Sequence, residues 1–318
     1  MKNKPVLHRL LILSQDFEVY KHLIEQARLP GLSILAVGDP GEVICIGRDC
    51  DLVFGEPSLI SKVLKHLPGL KWVQTNWAGV EPLLASNTRH DYILTNARNV
   101  YGLMMSEYVF GYLLMIERRI LPRWHAQLSG KWDESPNGAL KGKRIGLMGV
   151  GTIGIHLAAT AKHFGMQVYG YTHVSETCAE VDKYFHSEAK LEFAANLDYV
   201  VCSLPGTAAT KSVIDAAFFA ALPQRAWLVN IGRGITVNES ALVDALNNRL
   251  LAGAILDVFV EEPLPPSHPF WTTPNTFITS HTAARNYPPD IASLFIENYK
   301  LFVRGKPLLC QVNFERGY

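Results

Sequence analysis

The sequence lacks an excess of charge of either sign. Lys and Arg number 30 and Asp and Glu number 29 among 318 residues, which gives a net charge of +1. Proteins that bind nucleic acids or anionic membranes usually carry an excess of positive charge, so we expect neither as a partner. Charged residues make up only 19% of the chain and hydrophobic residues 48%. This composition excludes a disordered protein and predicts large buried cores.

Long apolar runs and paired cysteines are also missing. The longest stretch without Asp, Glu, Lys or Arg near an apolar run is 145–161, which is shorter than the roughly 20 residues of a membrane span and contains four glycines. His8 and Arg9 interrupt the first apolar run, so we expect no signal peptide. The five cysteines are odd in number and form no C-x-x-C pair. We therefore expect no metal site, free thiols and a cytoplasmic location.

Short apolar runs alternate with amphipathic stretches along the chain, a pattern typical of α/β folds with parallel strands. In the first third of the chain this pattern predicts strands at residues 10–13, 33–36, 52–54, 72–74 and 92–95. It restarts near residue 140 and predicts six more strands, at residues 144–148, 167–171, 199–203, 226–231, 253–259 and 276–279. Such a series has the length of a full dinucleotide-binding domain. A helix over 103–127, broken at Pro122, is predicted to join two lobes.

We predict two doubly wound parallel-sheet lobes. The larger is a Rossmann dinucleotide-binding domain over residues 99–285, inserted in a smaller flavodoxin-like substrate domain. Residues 1–98 form that substrate domain, and residues 286–318, which include a predicted helix over 289–304, complete it.

A glycine-rich loop follows the first strand of the larger lobe. Gly149, Gly151 and Gly154 fit G-x-G-x-x-G, between an apolar strand and a helix predicted over 155–164. The first glycine permits a tight turn, the second lets backbone approach a pyrophosphate, and the third lets helix and strand pack closely. The amides of Thr152 and Ile153 then face the anion at the positive end of the helix. The loop predicts binding of NAD or NADP.

The second strand should end in an acid if the cofactor is NAD, because that acid accepts hydrogen bonds from the ribose hydroxyls. This chain instead has Thr172 and His173 there. A 2′-phosphate would meet no repulsion, and both residues, with Ser175, offer donors, which favours NADP(H). No Arg or Lys is nearby in sequence, and Glu176 offers a carboxylate that would restore NAD(H) binding, so both cofactors remain open.

Polar residues follow three predicted apolar strands where each one ends. Arg233, Glu262 and His281 occupy these positions, and the carboxyl ends of parallel strands share one edge of the sheet. A guanidinium offers a planar fork for the carboxylate of a 2-oxo acid. An imidazole can donate a proton to the neighbouring carbonyl oxygen, and a paired carboxylate fixes its tautomer. Asp257, predicted within the fifth strand of this lobe, needs a partner, either the nicotinamide carboxamide or a backbone amide.

Together these segments resemble the D-isomer-specific 2-hydroxyacid dehydrogenases over essentially the whole chain. The similarity is carried by residues 149–154, 228–234, 256–259 with 262–263, and 274–275 leading to His281. Within the family the chain is most similar to the glyoxylate/hydroxypyruvate reductase branch, through residues 77–80 and the missing acid at Thr172.

The resemblance implies reduction of a small 2-oxo acid to the D-2-hydroxy acid. Arg233 would bind substrate, His281 would be the acid/base, and Glu262 would be its partner. It also implies cofactor contacts from Thr152, Ile153, Leu204, Pro205, Thr210, Ile231, Gly232 and Asp257. The loop of Trp77, Ala78 and Gly79 would bind the substrate carboxylate through backbone amides. A homodimer through the nucleotide domain is implied as well.

The chain departs from the family pattern at three positions. Ser280 replaces the proline that often precedes the catalytic histidine, Thr172 replaces the usual Asp, and Trp77 is bulkier than the usual residue. Trp77 either narrows the pocket or packs under its loop. Two alternative functions stay open, an NAD-dependent dehydrogenase of a larger or phosphorylated 2-hydroxy acid and a non-catalytic dinucleotide sensor related to corepressors.

Overall fold

The computed structural model describes residues 8–315 and 317. The expectation about a signal peptide falls partly on residues 1–7, and the end of the predicted substrate domain includes residues 316 and 318, so both extend outside the described residues. The chain divides into two compact units. The first comprises Met1–Val100 and Asn286–Tyr318, and the second comprises Tyr101–Arg285.

The two units contain twelve strands within the described residues. They are β1 His8–Leu13, β2 Leu32–Val37, β3 Leu52–Gly55, β4 Trp72–Thr75, β5 Ile93–Thr95, β6 Arg144–Met148, β7 Gln167–Thr172, β8 Lys183–His186, β9 Tyr199–Cys202, β10 Trp227–Asn230, β11 Gly253–Leu256 and β12 Thr276–Ile278. The α-helices of the same residues are α1 Phe17–Gln26, α2 Pro40–Ile46, α3 Pro57–Val63, α4 Gly102–Glu117, α5 Ile120–Leu128, α6 Thr152–His163, α7 Lys190–Ala194, α8 Ala216–Ala221, α9 Glu239–Asn247 and α10 Pro288–Phe302.

The first unit is built on a parallel sheet with the order β2-β1-β3-β4-β5. This is the flavodoxin-like order, so the predicted fold of this lobe is confirmed. Leu10 lies in register with Ile34 on one side and Leu52 on the other. Buried side chains such as Leu11 and Val53 pack into one core beneath the helices, and burial on both faces explains why the strands read as continuous apolar runs.

The second unit has the order β8-β7-β6-β9-β10-β11-β12, all parallel. The first six strands of this order reproduce the Rossmann arrangement, and β12 extends it. Alternate residues of the strands enter two cores, one on each face. Leu147 and Val201 lie in one core, and Met148 and Val200 lie in the other. The predicted fold class is therefore confirmed.

The prediction of six strands in this unit was wrong, because the described residues also contain β8. This strand has only four residues and begins and ends with a charged or titratable side chain, so it carries no apolar run to recognise. It pairs with β7 over its whole length. Its last residue, His186, lies in register with Thr172.

Two other boundaries differ from prediction. The long helix breaks at Arg118 and Arg119, where Arg119 is left-handed with φ of 53°, and not at Pro122. Pro122 lies in the first turn of α5, where an amide needs no acceptor within the helix. Strand β11 ends at Leu256, before Asp257. Among the described residues, no helix is both long and apolar enough to cross a membrane.

Candidate active site

The glycine loop lies between β6 and α6, at the carboxyl edge of the second sheet. Gly149 has φ of 95°, which favours glycine, and a Cβ on Gly154 would lie 2.4 Å from the Gly149 carbonyl oxygen. A Cβ on Gly151 would meet nothing within 4 Å. Helix α6 begins at Thr152, three residues earlier than predicted, with no side-chain cap on its first amides. Open space before uncapped amides fits a dinucleotide pyrophosphate.

Each polar residue predicted at a strand end follows its strand in the structure. Arg233 comes after β10, Glu262 after β11 and His281 after β12, and these three strands are neighbours in the sheet. The structure brings Glu262 and His281 into contact, with 2.8 Å between Oε2 and Nδ1. The other carboxylate oxygen of Glu262 accepts a hydrogen bond from the Phe259 amide at 2.9 Å. The carboxylate is therefore held from the backbone side while it orients the imidazole.

His281 is the less usual member of this pair, because its backbone is left-handed with φ of 55°. Such a conformation is costly for a residue with a side chain and persists where the surroundings enforce it. The His281 amide donates to the Asp257 carbonyl oxygen at 2.8 Å. About two-fifths of the side chain is exposed, and Nδ1 is the ring nitrogen that contacts Glu262.

Asp257 explains how the turn around His281 is held. It is 1% exposed, and its Oδ1 accepts from the Thr279 hydroxyl and from the Thr282 amide at 2.8 Å, while Oδ2 accepts from the Ala283 amide at 3.0 Å. These contacts agree with the backbone-amide alternative for the partner of Asp257. Tyr108 extends the network through a 2.7 Å hydrogen bond to Thr279, and burial raises the pKa of its phenol above the ordinary value.

Arg233 lies in a loop fixed by its own backbone. Its carbonyl oxygen accepts from the Thr236 hydroxyl at 2.6 Å and from the Asn230 side-chain amide at 3.2 Å, and its guanidinium Nη1 donates to the Gly232 carbonyl oxygen at 2.8 Å. The side chain is half-buried. The loop at the end of β10 therefore fixes the backbone of Arg233, and the Gly232 carbonyl oxygen holds its guanidinium.

The remaining predicted cofactor residues of this unit lie at the same edge. A Cβ on Gly232 would lie 2.6 Å from the Leu204 carbonyl oxygen, so the loops after β9 and β10 are in close contact there. Thr210 closes the turn that begins after Leu204, through a 2.6 Å hydrogen bond to the Pro205 carbonyl oxygen. Ile231 is buried. The side chain of Ile231 therefore belongs to the core, and only its backbone is left to contact a cofactor at this edge.

At the end of β7, the structure differs from the prediction that Thr172 offers a free donor to a 2′-phosphate. Thr172 is largely buried, and its hydroxyl donates to the Ser175 carbonyl oxygen at 2.7 Å, whereas His173 is exposed. His186 lies beside them on β8, with Nε2 2.7 Å from Glu176 Oε1. Sequence analysis missed His186 because it missed β8. A polar residue at the end of a short aromatic stretch was the only available signal.

The predicted substrate loop lies in the first unit. The Trp77 carbonyl oxygen accepts from the Thr75 hydroxyl at 2.7 Å, and that of Ala78 accepts from the Asn96 side chain at 2.7 Å. Within the described residues, the amides of Ala78 and Gly79 donate to no carbonyl. Trp77 is 48% exposed, so about half of its surface is accessible.

With this geometry established, comparison with known proteins identifies the family. Residues 110–283, more than half of the chain, match the model for the NAD binding domain of D-isomer specific 2-hydroxyacid dehydrogenases. The chain belongs to the D-isomer specific 2-hydroxyacid dehydrogenase family. The predicted family is thereby confirmed, as are the predicted enzyme class and NAD(P) as the class of cofactor.

Individual relatives agree with this assignment. Glyoxylate/hydroxypyruvate reductase A of Klebsiella pneumoniae is 30% identical over 257 residues, which are 78% of this chain and 82% of that protein. A family member from Aeromonas salmonicida is 38% identical, with a TM-score of 0.91 over 96% of this chain and 99% of the other. One from Xanthobacter autotrophicus, solved with NADPH and MES, is 29% identical, with a TM-score of 0.84 over 98% and 99%.

Proposed function

We propose that this family member reduces a small 2-oxo acid of the glyoxylate or hydroxypyruvate type, with NADPH favoured as the hydride donor. The observation that carries the proposal is the contact between His281 Nδ1 and Glu262 Oε2, at the same sheet edge as the glycine loop. The similarity to glyoxylate/hydroxypyruvate reductase A and to a structure solved with NADPH supports the choice of substrate and cofactor.

The chain's own residues divide the work of this reaction. When bound, the nicotinamide supplies the hydride. Arg233 binds the substrate carboxylate through its planar guanidinium, which orients the adjacent carbonyl. His281 donates a proton from Nε2 to the carbonyl oxygen and takes it back in the oxidative direction. Glu262 accepts the hydrogen bond from Nδ1–H, which fixes the ring and stabilises its charged form.

Cofactor binding is assigned to the second unit. We place the pyrophosphate on the loop of Gly149, Gly151 and Gly154, with the amides of Thr152 and Ile153 as donors. The backbone of the loops after β9 and β10, at residues 204–205 and 231–232, would hold the nicotinamide half of the cofactor, which supplies the hydride. The amides of Ala78 and Gly79 stay predicted ligands of the substrate carboxylate. The carbonyls of Trp77 and Ala78 accept hydrogen bonds within the first unit, which supports this assignment.

Turnover with a panel of 2-oxo acids tests the reaction. Oxidation of NADPH and NADH is followed by absorbance with glyoxylate, hydroxypyruvate and a larger or phosphorylated 2-oxo acid. We expect the highest kcat/KM with glyoxylate or hydroxypyruvate. His281→Ala should lower kcat about a hundredfold or more, whereas His163→Ala, an exposed histidine at the end of α6, should not.

Three outcomes would contradict the proposal in different ways. Unchanged turnover in His281→Ala would remove this residue from its assigned role. A higher kcat/KM for the larger or phosphorylated acid with NADH would favour the alternative dehydrogenase. Cofactor binding without turnover on any acid would favour a sensor.

We also propose that the protein is a homodimer that associates through the second unit. Large apolar side chains of α4, α5 and the segment after them are exposed, and Trp132 is 89% exposed. The others are Leu103, Ile120, Trp124 and Leu128. Exposed apolar side chains so close along one segment are typical of protein interfaces and costly in a monomer.

Light scattering during size-exclusion chromatography tests the association. The wild type should elute with the mass of two chains, and Leu128→Ser with Trp132→Ser should shift it toward one. Leu191→Ser, which changes an exposed leucine on α7, is the matched control. A monomeric wild type would refute the proposal. A cytoplasmic location is proposed as well, because three thiols, Cys50, Cys178 and Cys202, are free and buried.

A further inference from the structure

The adenosine end of the predicted cofactor site has a charged pair that the function so far leaves unexplained. Thr172 ends β7 and His186 ends β8, and the two residues lie in register. In this class of fold, ligands bind beyond the carboxyl ends of the strands, and the adenosine ribose lies at the end of the second strand of the motif. Counting from β6, which carries the glycine loop, that strand is β7. His186 therefore lies where a ribose 2′-substituent is recognised.

The hydrogen bonds of His186 define its charge. Nδ1 lies 3.0 Å from the Thr172 carbonyl oxygen, and Nε2 lies 2.7 Å from Glu176 Oε1. Nδ1 also lies 3.2 Å from the Thr172 hydroxyl oxygen. That hydroxyl donates to the Ser175 carbonyl oxygen, so it presents an acceptor to the ring, as do the Thr172 carbonyl and the Glu176 carboxylate. Acceptors at both ring nitrogens favour the doubly protonated imidazolium. In agreement, the hydrogen bond to Glu176 and then that to the Thr172 carbonyl raise the pKa of His186 above its usual value.

Two of the three donors expected from sequence, Thr172 and Ser175, already have hydroxyl partners, and the third, His173, is exposed. The Thr172 hydroxyl is committed to the Ser175 carbonyl oxygen, and the residue is 8% exposed. The Ser175 hydroxyl lies 3.3 Å from that of Thr177. His186 supplies the positive charge that no Arg or Lys supplies in the neighbouring sequence, and it comes from the adjacent strand.

Glu176 occupies the Nε2 donor of this imidazolium. Its side chain is 56% exposed and belongs to the loop that follows β7, so solvent can replace its contact at small cost. A phosphate oxygen accepts from the same kind of N–H donor as a carboxylate oxygen, and carries more charge. Without cofactor, the Glu176 carboxylate therefore occupies the donor that a phosphate oxygen of the cofactor could use.

We propose that His186 recognises the 2′-phosphate of NADP(H), and that Glu176 occupies His186 Nε2 until this phosphate displaces it. The proposal rests on the proposed function, because it assumes that a dinucleotide binds along β6 and β7. NADH has no 2′-phosphate and leaves the Glu176–His186 contact in place. Glu176 then affects cofactor selectivity because it competes with the 2′-phosphate for His186 Nε2. His186 affects it because its charge attracts the 2′-phosphate.

Isothermal titration with NADPH and NADH, without a 2-oxo acid, tests both roles. His186→Gln keeps a donor but loses the charge, and should weaken NADPH binding about tenfold, as expected for one charge-assisted hydrogen bond. Glu176→Gln removes the competing anion and should tighten NADPH binding about three- to tenfold. Neither variant should change NADH binding more than twofold. His163→Gln, at the opposite end of α6, is the matched control.

Two additional measurements separate this role from a structural one. Adenosine 2′,5′-bisphosphate and 5′-AMP, used as competitors, should reproduce the same selectivity because they contain only the adenosine half. His186→Lys restores a cation and should recover NADPH binding to within about threefold of the wild type.

The outcomes are distinguishable. If both cofactors bind and their affinity ratio is unchanged in His186→Gln and in Glu176→Gln, this inference is overturned while the proposed function stands. If neither cofactor binds the wild type, both are overturned.

Discussion

Asp257 offers the sharpest test of how the candidate active site is held together. Its two carboxylate oxygens accept from the Thr279 hydroxyl and from two backbone amides, and those amides belong to the two residues that directly follow His281 on the turn after β12. Asp257→Asn preserves the size of the side chain and one acceptor oxygen. The amide group replaces the other oxygen, so an N–H of the side chain then faces the N–H of Ala283.

The expected cost follows from these contacts. Asp257 is 1% and Ala283 is 5% exposed, so water cannot satisfy the two opposed donors. An unsatisfied buried donor costs about 1–3 kcal/mol, and we expect a loss of about 3 kcal/mol from the free energy of unfolding. For a unit of this size, that loss lowers Tm by about 6–12 °C. The left-handed backbone of His281 then relaxes, and displacement of its ring should lower kcat about ten- to a hundredfold.

Thermal unfolding by circular dichroism and steady-state oxidation of NADPH measure the two effects. Asp244→Asn is the matched control, because Asp244 lies on an exposed position of α9 and should change neither Tm nor kcat. If Asp257→Asn keeps Tm within about 1 °C and kcat within about twofold of the wild type, the carboxylate does not hold the turn and the reasoning fails.

Other substitutions have separate signatures. Gly154→Ala places a Cβ 2.4 Å from a backbone oxygen and should lower the free energy of unfolding by about 1–3 kcal/mol. The Cβ of Gly151→Ala meets no atom within 4 Å, so this variant should keep Tm but weaken NADPH binding about tenfold or more. If the two variants have equal effects on Tm and on NADPH binding in calorimetry, the placement of the pyrophosphate is contradicted. Glu262→Gln should lower kcat about tenfold, since a charge-assisted hydrogen bond contributes about 1.5–3 kcal/mol, and a change confined to KM would argue against it. The pKa of His186 is raised by Glu176, so in an NMR titration Glu176→Gln should lower it, and the imidazolium should be lost at a lower pH than in the wild type. An unchanged titration would show that the pair does not persist in solution.

The sequence predicted those features of the fold and site that depend on residues close together in the chain or on a regular apolar pattern. The strand, glycines and helix of the dinucleotide loop lie within about twenty residues, and each glycine answers a steric requirement of its own position. Apolar runs predicted eleven of the strands because strands buried on both faces must be apolar throughout. The positions of Arg233, Glu262 and His281 followed from one rule, that the carboxyl ends of parallel strands share an edge.

Only the tertiary structure decided which side chains at that edge contact one another. The contact of Glu262 with His281, the burial of Asp257 against the turn after β12, and the position of His186 beside Thr172 each join different strands or the loops after them. Such contacts depend on strand order and register, which are set by the packing of the whole sheet and leave no local mark on the chain. For the same reason, a four-residue strand without an apolar run was recognisable only beside its partner, β7.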